Sequence, residues 1–571
     1  MAWIAEDFAR VRGWTRLRNP CHPSALLLLN NYWSCYFSYI CRAKWREMNA
    51  IIMAAGTSTR FAPLSYEKPK GLLEVKGEIL IERQIRQLKE AGIEDIIVVV
   101  GYKSGQFSYL EEKFGVRIVM NEDYNVYNNT SSIMRVLDCL EDTYICSSDN
   151  YFPRNVFMES PKDSYYSALY AEGPTKEYCM SLDAEDNITE VTVGGHDSWY
   201  MVGHAFFNRE FSEKFRRIMI EEYEKEETRM GYWEDVYLRH ISDLPPMKIH
   251  RYAPHDIEEF DSLAELREFD TRYINDTGCR IMRNICSVLS CEEKDIDDIV
   301  VLKNGMTNSS FRFRCGRDGR RYVYRHPGDG TEAFINRQSE YFSMQVAKKL
   351  KLDTTFVHMD ADEGWKISYF VEDARILDYH NHTELSKALG ILARLHEANI
   401  QSEFPYRLWD QANDFLDKIQ KLGKDDTADF YELHERISGL YRHTVEDNWP
   451  ECLNHCDALA ANFLISDDDM TLIDWEYSGQ GDTAQDLGSF IACSDLNYEE
   501  ALYAINSYLG HEATASELRH FLAYTAIASY CWYLWAIYQE SNGVDTGEFL
   551  KLWYDYSYMY SEKALALYSA E

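Results

Sequence analysis

The fourteen cysteines of this 571-residue chain include no C-x-x-C pair and no metal-type spacing. That argues against a zinc framework or a dithiol redox centre and leaves reduced thiols as the expected state. Positive charge is scarce: 59 Lys and Arg stand against 94 Asp and Glu, a net charge of −35. So acidic a chain repels polyphosphate backbones and anionic bilayers, so neither nucleic acid nor membrane is expected as a partner. Glycine (29) and proline (13) are far too few for a low-complexity chain, and no internal repeat is visible. A long hydrophobic run is missing as well. Residues 23–41 come nearest, being uncharged and containing four consecutive leucines, but Asn30 and Asn31 interrupt them and no small-residue cleavage site follows. Residues 1–47 hold seven basic residues against three acidic ones and are read as a leader of uncertain status, with Met48 as an alternative start.

What is present is the composition of a soluble, cytoplasmic globular protein, 46% apolar and 27% charged, with length for two to four domains. Residues 49–55 form an apolar run ending at Gly56, which predicts a buried strand entering a tight turn. Ile81, Ile85 and Leu88 at helical spacing, stopped by Gly92, predict a helix. Further apolar runs at 95–101, 116–121 and 144–149 predict strands, and the alternation indicates an α/β domain whose parallel sheet is covered on both faces. The apolar pattern lapses between Thr271 and Cys279, placing domains at 48–272 and 273–571. The second begins with antiparallel strands at 300–303, 310–315 and 321–325 and becomes helical from Leu385, an α+β order.

The first chemical site follows the first strand. Ala54, Ala55, Gly56 and Ser58 let backbone N–H groups approach a triphosphate, and Arg60, Lys68 and Lys70 gather positive charge in an otherwise acidic chain. Asp149, at the end of the fourth strand, suits either Mg²⁺ or a turn cap. The segments AIIMAAGTSTRF, PKGLLEVKG, VVVGY and SSDNYF resemble the sugar-nucleotide and phosphocholine nucleotidyltransferases. IERQIRQLKEAGI and NEDYNVYNNTSS are more similar to the bacterial phosphocholine cytidylyltransferases, and the resemblance spans about 48–270. It implies a Rossmann-like nucleotidyltransferase sheet. The loop, with Ala54, Ala55, Gly56 and Arg60, would hold CTP, Lys70 would be the catalytic cation on its α-phosphate, and Asp149 and Asp261 would hold Mg²⁺. The loop departs from the family's G-x-G-x-R by carrying Thr57 and Ser58. Tyr178, Trp199, Tyr200 and Trp233 are candidates to enclose a quaternary ammonium, with ordinary core packing as the alternative.

The second site lies in NHCDALAANFLISDDDMTLIDWEY. Asp457 and Asn462 are separated by four residues, and Asp474 follows a short apolar strand. Phosphoryl transfer to a hydroxyl needs such a set: one carboxylate to take the proton, an amide and a second carboxylate to hold Mg²⁺. Upstream, KNGMTNSSFRFR reads as strand, polar turn and strand, putting Asn304, Thr307 and Asn308 over ATP phosphates. Arg325 on the next strand and Glu340 on the next helix stand where kinases carry their phosphate-binding pair. RHPGDGTEAFINRQSE and LIDWEYSGQGDTAQDLG resemble the bacterial choline kinases, within the choline kinase and aminoglycoside phosphotransferase group, over about 275–571. That resemblance implies a kinase-like α+β domain, with Asp457 as catalytic base, Asn462 and Asp474 on Mg²⁺, and Trp532 and Trp535 against the ammonium group of choline. Asp482 and Asp486 are expected to brace the catalytic loop, and His396 to be a core histidine.

Together the two halves predict a bifunctional enzyme using ATP, CTP, choline and phosphocholine, with Mg²⁺ as cofactor. Two alternatives stay open: the same folds acting on ethanolamine or an aminoglycoside, and one domain being degenerate and regulatory.

Overall fold

The computed structural model describes residues 48–570 except 303–307, 329, 332–334, 424–429, 468, 495, 543 and 545. The leader, and Asn304 and Thr307 of the expected phosphate-covering turn, lie outside the described residues. The chain divides into two compact units between Asp270 and Thr271.

The first unit is built on a seven-stranded sheet. Its strands are β1 (Asn49–Ala54), β2 (Asp95–Val100), β3 (Arg117–Met120), β4 (Thr143–Ser147), β6 (Tyr165–Leu182), β7 (Ile188–Phe207) and β8 (Lys248–Arg251); a two-residue β5 (Asn150–Tyr151) follows β4. The order across the sheet is β8-β6-β7-β4-β1-β2-β3. Strand β1 shows why it forms: Ala50 and Ile52 enter one core and Ile51 the other, all 0% exposed, because successive side chains point to opposite faces of a sheet covered on both. Helix α1 (Leu80–Glu90) buries Ile81, Ile85 and Leu88, and the chain leaves it through Gly92 at φ 79°. β1 runs parallel to β2 and β4, in a register that sets Met53 beside Val99 and Ser147. The carboxyl ends of β1, β2 and β4 therefore share one edge, where ligands gather in open α/β sheets.

The parallel sheet expected from sequence is present in the core β4-β1-β2-β3, and antiparallel strands extend it. β7 is antiparallel to both β4 and β6, so the sheet is mixed. The long β6–β7 hairpin contains glycines, a proline and alternately exposed polar residues, and it offers none of the continuous apolar signal of a buried parallel strand.

The second unit opens with a five-stranded antiparallel sheet made of β10 (Ile296–Val301), β11 (Asn308–Cys315), β12 (Arg321–Pro327), β13 (Phe356–Met359) and β14 (Lys366–Tyr369), ordered β10-β11-β12-β14-β13. A two-residue β9 (Glu258–Glu259) precedes it in the first unit and pairs with β5. Helix α5 (Arg337–Leu350) is capped by Asn336, whose side chain accepts from the amides of Gln338 and Ser339. The helical body includes α9 (Ala484–Ala492), α11 (Ala515–Ser541) and α12 (Phe549–Ser569). Helix α11 is buried on most of its circumference, as a central bundle helix must be. Among the described residues no helix is long and apolar enough to cross a membrane, and the cysteines are free thiols.

Helices α9 and α11 touch backbone to backbone. A Cβ at Gly488 would lie 2.7 Å from the Tyr524 carbonyl and 3.0 Å from the Thr525 nitrogen, atoms that cannot rotate away. Gly488→Ala is predicted to destabilise this unit by about 1–3 kcal/mol. The effect should appear as an earlier denaturant midpoint, and an unchanged midpoint would show that the helices can separate at little cost.

Candidate active sites

In the first unit, the edge shared by β1 and β4 closes around a cavity of about 200 Å³ lined by Ala54, Ala55, Gly56, Lys70, Ser148 and Asp149, among others. The loop after β1 takes its sharp bend at Ser58, which sits in the left-handed region at φ 51° and leads into a turn of 3₁₀ helix carrying Arg60. The departure from a glycine-richer loop is therefore accommodated by a serine in an unusual conformation. Gly71 is needed for contact: a Cβ there would come within 2.8 Å of Ser148 Oγ.

Lys70 is 7% exposed, and its ammonium lies 2.8 Å from Asp149 Oδ2. Burial opposes its charge, but Asp149 outweighs burial and holds Lys70 above the ordinary lysine range. Asp149 is likewise desolvated, and Lys70 holds it below the ordinary carboxylate range. Its other oxygen, Oδ1, is buried and accepts no hydrogen bond among the described residues. No group of three or more His, Cys, Asp or Glu forms a protein-only metal cage among the described residues. A single carboxylate with one oxygen to spare beside a phosphate cavity does fit Mg²⁺, which takes one or two carboxylates plus phosphate oxygens.

Arg60 and Asp261 lie further out and pair with each other at 3.2 Å, both largely exposed. Nearer Asp149 is a carboxylate that motif reading missed, Glu259. β9 pairs with β5 so that Glu259 lies opposite Asn150, the residue after Asp149. Its surface opens into a cleft walled by protein. That desolvation, with the charge of Asp149 next, pushes its carboxyl up to about 7. Asn121 was also missed: 1% exposed, it donates to Ser131 and Ser132 Oγ on the far side of the nucleotide cavity.

Glu259 and Asp261 belong to an adjoining cleft of about 440 Å³, whose other walls include Tyr170, Tyr200, Glu177 and Glu258. Burial first, then the charges of Glu177, Glu259 and Glu258, push the Tyr200 hydroxyl above the ordinary tyrosine range. Of the four aromatics expected to hold an ammonium, only Tyr200 faces this cleft. Trp233 is corrected to a core residue: 2% exposed, it stacks on Tyr166 and meets Phe207 edge-on, leaving no face for a cation. Trp199 carries the Arg251 guanidinium 5.4 Å from its ring centre, and Tyr178 packs on the core beside β7.

In the second unit a cavity of about 630 Å³ lies between the five-stranded sheet and the segment carrying Leu464, Ile473 and Asp474, with Asn308, Arg325 and Lys366 in its wall. Arg325 and Glu340 meet as the sequence predicts, Nη1 to Oε1 at 2.5 Å, both almost fully buried. Arg325, Lys366 and Arg337 together, with Arg325 contributing most, outweigh the cost of burying Glu340 and hold its carboxyl down at about 2. Glu476 completes the cluster, accepting from Asn308 at 2.7 Å and Arg325 at 3.4 Å. Lys366 was not foreseen; strand register places it opposite Arg325.

The catalytic segment is fixed by buried hydrogen bonds. Asp486 accepts the amides of His455 (2.8 Å) and Cys456 (2.6 Å) and contacts His396 Nε2 at 3.0 Å. His396 is 8% exposed and its other nitrogen contacts Tyr508, so it is a bonded core histidine. Asn462 Nδ2 donates to Asp457 Oδ2 at 3.0 Å, and Asp474 sits in the left-handed region at φ 68°. Burial, then the neighbouring Asp474 charge, push Asp457 well above the ordinary carboxylate range. Asn462 and Asp474 beside the phosphate cavity fit a Mg²⁺ ligand set completed by phosphate oxygens, and a cation held there would offset the Asp474 charge that acts on Asp457. Trp532 and Trp535 meet edge-on at 5.8 Å, and Trp553 of α12 lies 6.0 Å from each.

Residues 299–525 match the choline/ethanolamine kinase family and residues 50–157 the MobA-like NTP transferase domain. The chain is 39% identical over 232 residues to a 2-aminoethylphosphonate cytidylyltransferase of Lancefieldella rimae, covering 40% of this chain and 94% of that protein. It is 34% identical over 223 residues to a choline-phosphate cytidylyltransferase of Streptococcus pneumoniae, covering 39% of this chain and 97% of that one. Its second half is 25% identical over 258 residues to Protein LicA of Haemophilus influenzae, covering 43% and 94%. The chain thus belongs to the family of these bacterial cytidylyltransferases and carries a choline/ethanolamine kinase-type domain behind it, two enzymes in one polypeptide.

Proposed function

We propose that the second unit phosphorylates choline with ATP and that the first converts the resulting phosphocholine and CTP into CDP-choline and pyrophosphate. The observation that carries this reading is the pairing of the two activities in one chain. A kinase acting on an alcohol makes a phosphate monoester, with a P–O–C link. It cannot make the P–C bond of a phosphonate such as the substrate named for the Lancefieldella relative. A kinase fused to a cytidylyltransferase therefore points to a phosphorylated amino alcohol as the shared intermediate. Choline is favoured among amino alcohols by the cluster of three tryptophans, Trp532, Trp535 and Trp553. A trimethylammonium has no N–H to donate, and aromatic faces attract it by about 0.5–2 kcal/mol each. The acidic cleft at Glu177 and Glu259 supports ethanolamine as the second reading, since a primary ammonium can donate to carboxylates.

In cytidylyl transfer a phosphocholine oxygen attacks the α-phosphorus of CTP in line, and the bond to the pyrophosphate oxygen breaks. Lys70 would neutralise charge on the α-phosphoryl oxygens, the loop amides around Gly56 would hold the triphosphate, and Asp149, with Asp261 or Glu259, would hold Mg²⁺. In choline phosphorylation Asp457 would accept the hydroxyl proton as the oxygen attacks the γ-phosphorus, while Asn462 and Asp474 hold the metal. When bound, Mg²⁺ supplies charge neutralisation at the phosphates in both sites.

Lys70→Ala is predicted to lower cytidylyl transfer by about 100- to 1,000-fold while leaving choline phosphorylation intact. Asp457→Asn should do the reverse, lowering phosphorylation by about 100- to 10,000-fold. Both are read by separate assays of pyrophosphate and ADP release, and parallel loss of both activities in either variant would contradict two independent sites. Competition of ethanolamine against choline in the ADP assay tests the acceptor: choline should win, and preference for ethanolamine would replace the first reading with the second.

A further inference from the structure

Arg325 stands where a kinase carries its phosphate-binding cation, yet both of its terminal nitrogens are engaged by protein acceptors. Nη1 lies 2.5 Å from Glu340 Oε1, 3.4 Å from Glu476 Oε2 and 3.8 Å from Asp474 Oδ1, while Nη2 donates to Glu340 Oε2 at 2.8 Å and to the Gly364 carbonyl at 3.0 Å. Nε is buried with no hydrogen-bond partner among the described residues, and at 4% exposed Arg325 has little surface to offer a ligand. We propose that Lys366, on the neighbouring strand, is the residue that presents positive charge to the ATP phosphates, while Arg325 serves as the brace that holds Glu340. This rests on the reading of the second unit as an ATP-dependent kinase.

Three observations carry it. Cross-strand pairing of β12 with β14 sets Lys366 directly opposite Arg325, so the two cations enter the cleft side by side. The Lys366 ammonium donates to Glu340 Oε1 at 3.2 Å and lies 3.7 Å from Asp474 Oδ1, between the brace and the carboxylate expected to hold metal. Its side chain keeps 11% of its surface and lines the cavity. An ammonium has three protons, and a single hydrogen bond to Glu340 leaves two for phosphate oxygens. A flexible point charge also suits a polyphosphate that shifts as its terminal group leaves. Phosphate binding is thereby divided between two strands: Arg325 fixes Glu340, and Glu340 fixes Lys366.

The test is calorimetric titration of the full chain with ATP, ADP and AMP in Mg²⁺, comparing wild type, Lys366→Met and Lys366→Arg. Loss of a charge-assisted contact predicts that Lys366→Met weakens ATP binding by about 10- to 100-fold, with a clearly smaller loss for AMP and retention of ATP affinity in Lys366→Arg. An equal loss for all three nucleotides would make Lys366 a structural prop, and unchanged ATP affinity would remove it from the site. Either result overturns the proposal. Wild-type protein that fails to bind ATP would instead overturn the kinase reading on which it rests. A measurement independent of any variant is amine acylation of the wild-type chain: ATP should shield Lys366 from the reagent and AMP should not, and equal labelling with both would contradict the assignment.

Discussion

An acidic chain that handles anionic nucleotides must gather its few cations beside the phosphates, and each site anchors that cluster on a buried cation paired with a carboxylate. Lys70 against Asp149 at 2.8 Å and Arg325 against Glu340 at 2.5 Å are the same solution reached on unrelated folds. The carboxylate fixes the geometry of the cation and, through Coulomb attraction in a poorly solvated setting, keeps it charged. Much of the surrounding architecture positions these pairs. The register of β1 against β4 brings the loop after β1 to the end of β4, and the pairing of β12 with β14 places Lys366 beside Arg325. The close contact at Gly71 lets Ser148 approach the nucleotide loop, and the one at Gly488 lets α11 pack directly on α9, the helix that carries Asp486.

The two units differ in how they treat the acceptor. The first presents an open cleft of tyrosines and glutamates, while the second gathers three indoles from α11 and α12. A phosphorylated amino alcohol carries a cation at one end and an anion at the other. On the proposed reading, the acidic cleft at Glu177 and Glu258 would take the cationic end, and Lys70 in the adjoining nucleotide cavity would face the phosphate end. In the kinase unit the proposed acceptor has no phosphate yet, so on that reading aromatic surface would serve its cationic end and the Asp457 carboxylate its hydroxyl end.

What the sequence made legible follows its local signals. β1 and β2 are continuous apolar runs, α1 has helical spacing and a glycine stop, and the Asp457–Asn462–Asp474 set lies within eighteen residues, so all were readable. The β6–β7 hairpin was not, because exposed strands rich in turn formers give no sustained period. Glu259 was hidden because its place beside Asp149 comes from a two-residue strand pairing, while the family pattern drew attention to Asp261. Lys366 belongs to no motif, and only cross-strand register makes it a neighbour of Arg325. Trp233 shows the converse. Residue type marked it as a candidate for the ammonium, but three-dimensional packing against Tyr166 and Phe207 closed it off.

The central claim is that the second unit makes the substrate of the first. A phosphorus NMR time course on the purified chain with choline, ATP, CTP and Mg²⁺ tests it directly. The account predicts a phosphocholine signal that rises first, followed by CDP-choline and pyrophosphate in equal amounts, with neither formed when ATP is left out. CDP-choline appearing without ATP, or phosphocholine accumulating in the presence of CTP with no pyrophosphate, would contradict it.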